Sequence, residues 1–215
     1  MFSYYAKVAL IAAVCVFLIR CNNYSLVEKL QNPGGSTSVG ATGTGSCGAN
    51  CRIYITTAIF NGNLGGAGGA DISCISNPNN PAGAGKGNWR AMIAGGGRVA
   101  CTSANCTTSG AAENLNWALK ANTNYRRATD DFPIGTTNAS GIFTFPLSNS
   151  FAIGVIDVWT GLTTDWLVNG NTCLNWTDNT TGQGMAGQTG GTTFSNIAFG
   201  GQTCPGSFPI FCAEQ

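Results

Sequence analysis

The apolar residues of the chain first form one continuous run and then break into short, widely spaced clusters. Residues 8–19 (VALIAAVCVFLI) are apolar without interruption. The run is shorter than the roughly 20 residues that cross a bilayer, but it suits the hydrophobic region of a secretory signal. Residues 22–46 are rich in Gly, Ser and Thr and lose apolar periodicity after Leu30, as in a flexible tether. We therefore predict a signal peptide at 1–20, an anchor and tether at 21–46, and a folded domain at 47–215.

The folded part begins with a strand pattern that is followed by a helix pattern. Residues 52–60 (RIYITTAIF) combine β-branched and aromatic residues with partial alternation, which predicts a strand. A short helix is expected next, carrying Ala70, Asp71 and Cys74 among small residues. The Asn- and Pro-rich segment 77–81 should end this helix.

A second helix and several short strands are predicted further along. Ser109 is a favourable N-cap for a helix that runs through Leu119, with Glu113 near its positive end. Residues 89–94 (WRAMIA) fit either a strand or a short helical turn. The other β-branched and aromatic clusters predict strands at 142–145, 151–159, 172–176, 194–199 and 208–212. Two short helices and several strands between long glycine-rich loops indicate an α+β domain.

Composition excludes several classes of function. Charged residues make up 9% of the chain and the net charge is +1, so we expect no nucleic-acid partner. Histidine is absent, which removes Ser-His-Asp and Cys-His catalysis and histidine-ligated metal sites. A carboxylate-based glycosidase needs two acids placed together, and no motif provides such a pair. We expect no catalytic residues, no bound metal and no cofactor.

The cysteines predict a disulfide framework. Of the ten cysteines, Cys15 lies in the apolar run and Cys21 follows it directly. The other eight are Cys47, Cys51, Cys74, Cys101, Cys106, Cys173, Cys204 and Cys212. An even number in an exported protein predicts four disulfides, and the short spacings favour bridges 47–51 and 101–106. Zinc is not expected, because the thiols are not clustered and there are no histidines.

The residues around Cys21 indicate a lipid anchor. The segment 18–22 (LIRCN) resembles a relaxed lipobox of spirochaete lipoproteins, in which the cysteine is lipidated and becomes the first residue. Arg20 departs from this pattern, which usually has small residues before the cysteine. Cleavage at Cys15 would leave a very short apolar region, and ordinary signal cleavage without lipidation is the alternative. We expect export, attachment to the outer membrane through the lipid, and exposure at the surface.

Three stretches of the domain carry a family resemblance. They are RIYITTAIFNGNLGGAGGADISC (52–74), VWTGLTTDW (158–166), and CLNWTDN with the closing CPGSFPIFCAEQ (173–179 and 204–215). Together they resemble the domain of unknown function that recurs in leptospiral lipoproteins, whose layout is similar to the C-type lectin-like fold. The resemblance implies small antiparallel sheets, and it implies that Cys74 pairs with Cys212 and Cys173 with Cys204.

The same resemblance points to a ligand loop at 177–191. In that loop and beside it, side chains able to bind a sugar are Trp166, Trp176, Asp178, Asn179, Gln183 and Gln188. The polar groups would bond hydroxyls and a tryptophan would supply a flat apolar face. The alternative is a solvated loop above two core tryptophans. Calcium-dependent binding is not expected, because the Pro-centred acidic triplet of calcium lectins is missing and carboxylates are few.

Two functions remain open. The first is a surface-exposed bacterial lipoprotein that acts as a non-enzymatic binding module for a host matrix protein or a glycan, without calcium. The second is a structural envelope lipoprotein that has no host ligand.

Overall fold

The computed structural model of the protein describes residues 47–215. The predicted signal peptide, the predicted lipidation site Cys21 and the predicted tether lie outside these residues. The described part is an α+β domain with two sheets and two short helices, as predicted, but only the first helix lies where it was expected. None of its helices is long and apolar enough to cross a membrane.

The larger sheet has five strands in the order β2-β8-β1-β3-β4. These strands are β1 (Asn50–Ile55), β2 (Trp89–Ala91), β3 (Asn124–Arg127), β4 (Pro133–Thr136) and β8 (Phe211–Glu214). Strand β1 is central because it has strands on both sides and buries consecutive residues, Ile53 and Tyr54, on opposite faces. It pairs in parallel with β3, whereas the other pairs are antiparallel.

The smaller sheet is antiparallel and consists of β5 (Asp157–Trp159), β6 (Gln183–Gln188) and β7 (Gly200–Thr203). The ring of Trp159 covers Gly184 on β6, where a Cβ would lie 2.7 Å from a ring carbon. Strand β6 corrects the prediction that the whole of 177–191 is a loop. Its glycine-rich sequence has a weak strand signal, and pairing with both neighbours over this close contact makes it a strand.

Helix α1 (Gly66–Ser76) forms where it was predicted. It buries Ala67, Ala70 and Cys74, and Asn77 leaves it with an extended backbone. Asp71 projects from α1 to β2 and accepts a bond from the backbone N–H of Ala91 at 2.8 Å.

The predicted helix from Ser109 to Leu119 is wrong. Only one 3₁₀ turn forms, at Gly110–Glu113. The carboxylate of Glu113 accepts hydrogen bonds from the backbone N–H groups of Thr102, Ser103, Thr108 and Ser109. These bonds tie the carboxylate to the preceding loop, and the chain after Glu113 pairs Leu115 with Val99 instead of continuing as a helix.

Two predicted strands are replaced in the structure by a short helix and a 3₁₀ turn. Residues 172–176 contain the four-residue helix α2 (Cys173–Trp176), whose residues all have left-handed φ angles between 47° and 66°. Such a backbone costs about 1–2 kcal/mol per residue. The Cys173–Cys204 disulfide and the buried Trp176 hold it. Residues 194–199 contain a 3₁₀ turn, Phe194–Asn196, because the side chain of Asn196 binds the carbonyls of Gln188 and Gly190.

The remaining predicted strands are shorter than expected or shifted. The first strand ends at Ile55, and Phe60 keeps only an isolated bridge to Phe208. Residues 142–145 form a single bridge through Phe143. Of the strand predicted at 151–159, only the last three residues form β5. The strand predicted at 208–212 begins at Phe211 instead, and in the segment 89–94 only the first three residues form a strand, β2. Strands β3, β4 and β7 were not predicted, since their sequences lack an apolar alternation.

Four disulfides stabilise the described domain: Cys47–Cys51, Cys74–Cys212, Cys101–Cys106 and Cys173–Cys204. The first and third follow the short spacings, and the other two are the pairs that the resemblance implies. Cys74–Cys212 joins α1 to β8 across a sequence separation of 138. In the chain-entropy model, closing so long a loop contributes about 5 kcal/mol.

Candidate functional site

The two tryptophans predicted to face a ligand are buried. Trp166 is 1% exposed and Trp176 is 0% exposed. The indole N–H of Trp176 donates to the carbonyl of Ala94 at 2.7 Å, and its ring packs edge-on against Trp159. Neither ring offers a face to solvent, which corrects the expectation that one of them stacks on a sugar and agrees with the alternative of core tryptophans.

Asp178 and Asn179 lie in the turn before β6. The carboxylate of Asp178 accepts bonds from the hydroxyls of Thr180 and Thr181 and from their backbone N–H groups. The hydrogen bonds from the Thr180 hydroxyl and backbone, with those from Thr181, lower the pKa of Asp178 to about 2. Asp178 therefore organises its own turn, whereas Asn179 is exposed.

Gln183 and Gln188 occupy opposite ends of β6. Gln183 is exposed, whereas the Gln188 amide donates to Asp157 at 3.1 Å. Four strand residues lie between the two glutamines, which places their Cα atoms about 17 Å apart. The six predicted ligand residues thus do not form one site: two are buried in the core, one caps a turn, one is exposed in that turn, and the two glutamines are far apart.

A different concave site lies beside Trp166. We call it the aromatic cleft; its volume is about 530 Å³, within the usual range for ligand sites. It is lined by Asn105, Asn138, Ile142, Phe143, Thr144, Phe145, Thr164, Asp165 and Phe194. The lining combines aromatic rings, a carboxylate, amides and hydroxyls.

The rings of the aromatic cleft are held in place from behind. Phe145 stacks on Trp166, with ring centroids 5.9 Å apart and planes inclined by 10°. Trp166 in turn packs edge-on against Trp117. Phe194, at the start of its 3₁₀ turn, is 54% exposed. The buried Trp166 therefore supports the cleft through Phe145.

The polar groups of the aromatic cleft come from two loops that bind each other. The backbone N–H of Asn105 donates to the carbonyl of Asp165 at 2.9 Å, and its amide lies 3.5 Å from Oδ1 of Asp165. The Cys101–Cys106 disulfide closes the loop that carries Asn105. Within the described residues, Oδ2 of Asp165 accepts no hydrogen bond in the domain. This oxygen is available to a ligand.

The loop that carries Asn105 is also organised by Glu113. Burial opposes the charged form of this carboxyl, but hydrogen bonds from the backbone of Ser109, from the hydroxyl and backbone of Ser103 and from the hydroxyl of Thr102 outweigh it. Together they lower the pKa of Glu113 to about 2. The charged carboxylate thus fixes the loop 102–109 that forms one side of the cleft.

Sequence reasoning missed this cleft because its residues come from four separate segments. Asn105, Asn138, Asp165 and Phe194 show no common spacing. The sequence did contain one signal at Asp165-Trp166, where a carboxylate precedes an aromatic residue between two predicted strands. Trp166 was selected there as a ligand residue, whereas the neighbouring Asp165 was not.

This geometry defines a class of protein, namely a disulfide-stabilised α+β domain with a small concave site. A family model described as "Protein of unknown function (DUF1554)" matches residues 57–195, and the chain belongs to that family. No curated protein matches the chain. Within residues 47–215, no group of three or more His, Cys, Asp or Glu side chains is arranged to hold a metal ion.

Proposed function

We propose that the protein is a surface-exposed bacterial lipoprotein whose domain is a non-enzymatic, calcium-independent binding module for a host matrix component, with a glycan bound in the aromatic cleft. The signal-like run at 8–19, the cysteine at position 21 and four disulfides support export and anchoring. The resemblance to leptospiral lipoprotein domains and to the C-type lectin-like layout supports a binding role.

The observation that carries the glycan proposal is that Phe145 and Phe194 line the same cleft as Asp165 and two asparagines. A sugar ring has an apolar C–H face and a rim of hydroxyls. The phenyl rings match the face, and carboxylate and amide groups match the hydroxyls. Because Asp165 is the single carboxylate in the lining, the cleft does not offer the ligand set of calcium.

The test is binding of the purified protein to a panel of glycans and matrix proteins, with calcium and with a chelator. Saturable binding to a glycan in both conditions is the expected result. Phe194→Ala should weaken it roughly tenfold or more, because it removes apolar contact area. Asp165→Asn should weaken it as well.

Two matched variants make the test specific. Phe199 is 55% exposed, compared with 54% for Phe194, and lies outside the cleft, so Phe199→Ala should bind as the wild type does. Asp178→Asn probes the loop predicted from the sequence and should also leave binding unchanged. Binding that is lost with the chelator would contradict the proposal. If no glycan or matrix protein of the panel binds, the result would favour a structural envelope lipoprotein.

A further inference from the structure

A second concave surface, which we call the apolar groove, lies between the end of β1 and the segment that leads into β5. Its volume is about 720 Å³. Its apolar walls are formed by Ile55, Ile59, Phe151, Ile156, Phe208 and Pro209. Thr57, Thr129 and Ser207 also line the groove, and the hydroxyl of Thr57 donates to Oδ1 of Asn77 at 3.3 Å.

The rim of the apolar groove exposes large hydrophobic side chains. Ile59 is 61% exposed and Ile156 is 50% exposed. Ile153 and Val155, in the segment that contributes Phe151 and Ile156, are exposed as well. Single exposed hydrophobic residues are common, but two that line one groove, with two more in the same segment as Ile156, indicate an interaction surface.

Asp157 is the one acidic residue among those that line the groove. Asp157, the first residue of β5, accepts a bond from Gln188 on Oδ1 at 3.1 Å and from Gln202 on Oδ2 at 2.8 Å. The two amides hold the carboxylate in one orientation. Among the described residues, none of those that line the groove is cationic, and no ion pair includes Asp157.

We propose that the apolar groove binds a peptide segment of a partner protein that carries apolar side chains and a lysine or arginine, whose cation pairs with Asp157. A fixed carboxylate among apolar walls favours a cation next to apolar groups. The polar side chains of Thr129 and Ser207, which also line the groove, suit the N–H and C=O groups of a peptide, whereas an acyl chain has no groups to pair with them. This site is separate from the aromatic cleft and does not depend on glycan binding.

The test uses the purified protein and two matched pools of fluorescein-labelled hexapeptides. Both pools contain isoleucine, leucine, phenylalanine and serine around one fixed position, which is lysine in the first pool and glutamate in the second. Fluorescence anisotropy should show binding of the lysine pool at least tenfold tighter than that of the glutamate pool.

Four variants locate the binding. Asp157→Asn should abolish the preference for lysine, and Ile59→Ser should weaken binding of the lysine pool roughly tenfold. Ile72→Ser is the matched control, because Ile72 is 67% exposed on α1 and does not line the groove. Ser207→Lys introduces a competing cation without removing the bonds between Asp157 and the glutamines, and should also weaken the lysine pool.

Equal binding of the two pools, or no binding of either at about 1 mM, would overturn the proposal. So would a lysine preference that survives in both Asp157→Asn and Ser207→Lys, or an Ile72→Ser effect as large as that of Ile59→Ser. Circular dichroism of each variant identifies a folding defect, and Phe194→Ala should leave peptide binding unchanged.

Discussion

Replacing Asp71 by asparagine should destabilise the domain by about 3 kcal/mol. Arg98 is fully buried, and its guanidinium donates to the two oxygens of Asp71 at 2.8 and 2.6 Å. A third bond goes to the carbonyl of Ala91 at 2.6 Å. The substitution leaves the charge of Arg98 buried without its counter-charge, and it turns an amide group towards the guanidinium.

The magnitude follows from the burial of the two partners. Breaking a buried ion pair costs about 3–5 kcal/mol. The Asp71 side chain is 22% exposed and the new asparagine keeps one acceptor oxygen, so the lower end of that range applies. For a domain of this size, about 3 kcal/mol lowers the melting temperature by roughly 6–12 °C.

The assay is thermal and urea unfolding of the disulfide-intact protein, with Asp131→Asn as the matched control. The Arg126–Asp131 pair has an N–O distance of 2.7 Å, close to the 2.6 Å of Arg98–Asp71, but its side chains are 33% and 74% exposed. Its loss should cost less than about 1 kcal/mol because solvent screens the pair. A loss of stability in Asp71→Asn no larger than in Asp131→Asn would refute the reasoning from burial.

Two further measurements test the electrostatics of the fold and the anchor. Because the folded-state pKa of Glu113 is lowered to about 2, its charge stabilises the domain above about pH 4.3, and this contribution should be lost as the pH falls towards 2. Melting temperatures between pH 2 and 7 should therefore vary less in Glu113→Gln than in the wild type, and equal slopes would contradict the role of this carboxylate. Metabolic labelling with a fatty acid should mark the wild type and Cys15→Ser but not Cys21→Ser; a label that persists in Cys21→Ser would exclude Cys21 as the anchor.

The candidate sites were harder to predict than the fold. As tryptophans, Trp166 and Trp176 were expected to offer aromatic faces to a ligand, but both rings are buried in the core. Gln188 was selected as a ligand residue for its polarity, whereas its amide orients Asp157 on the neighbouring strand. Exposure and cross-strand pairing depend on contacts between distant segments, and no local pattern contains them.

Local sequence signals determined the elements that depend on neighbouring residues. Helix α1 and its end at Asn77 follow from small residues and an Asn- and Pro-rich stop. The bridges Cys47–Cys51 and Cys101–Cys106 follow from short spacing, which keeps two thiols close in almost any chain conformation. The α+β class followed from the mixture of these patterns.

Only the tertiary structure decided which segments depart from their local secondary-structure preference, because contacts between residues distant in sequence outweigh that preference. The left-handed α2 depends on the Cys173–Cys204 disulfide, and the failed second helix reflects the backbone groups that Glu113 binds. The glycine-rich β6 is a strand because it lies between β5 and β7 under the ring of Trp159. Both the aromatic cleft and the apolar groove form where segments far apart in sequence meet, since packing and not spacing brings their residues together.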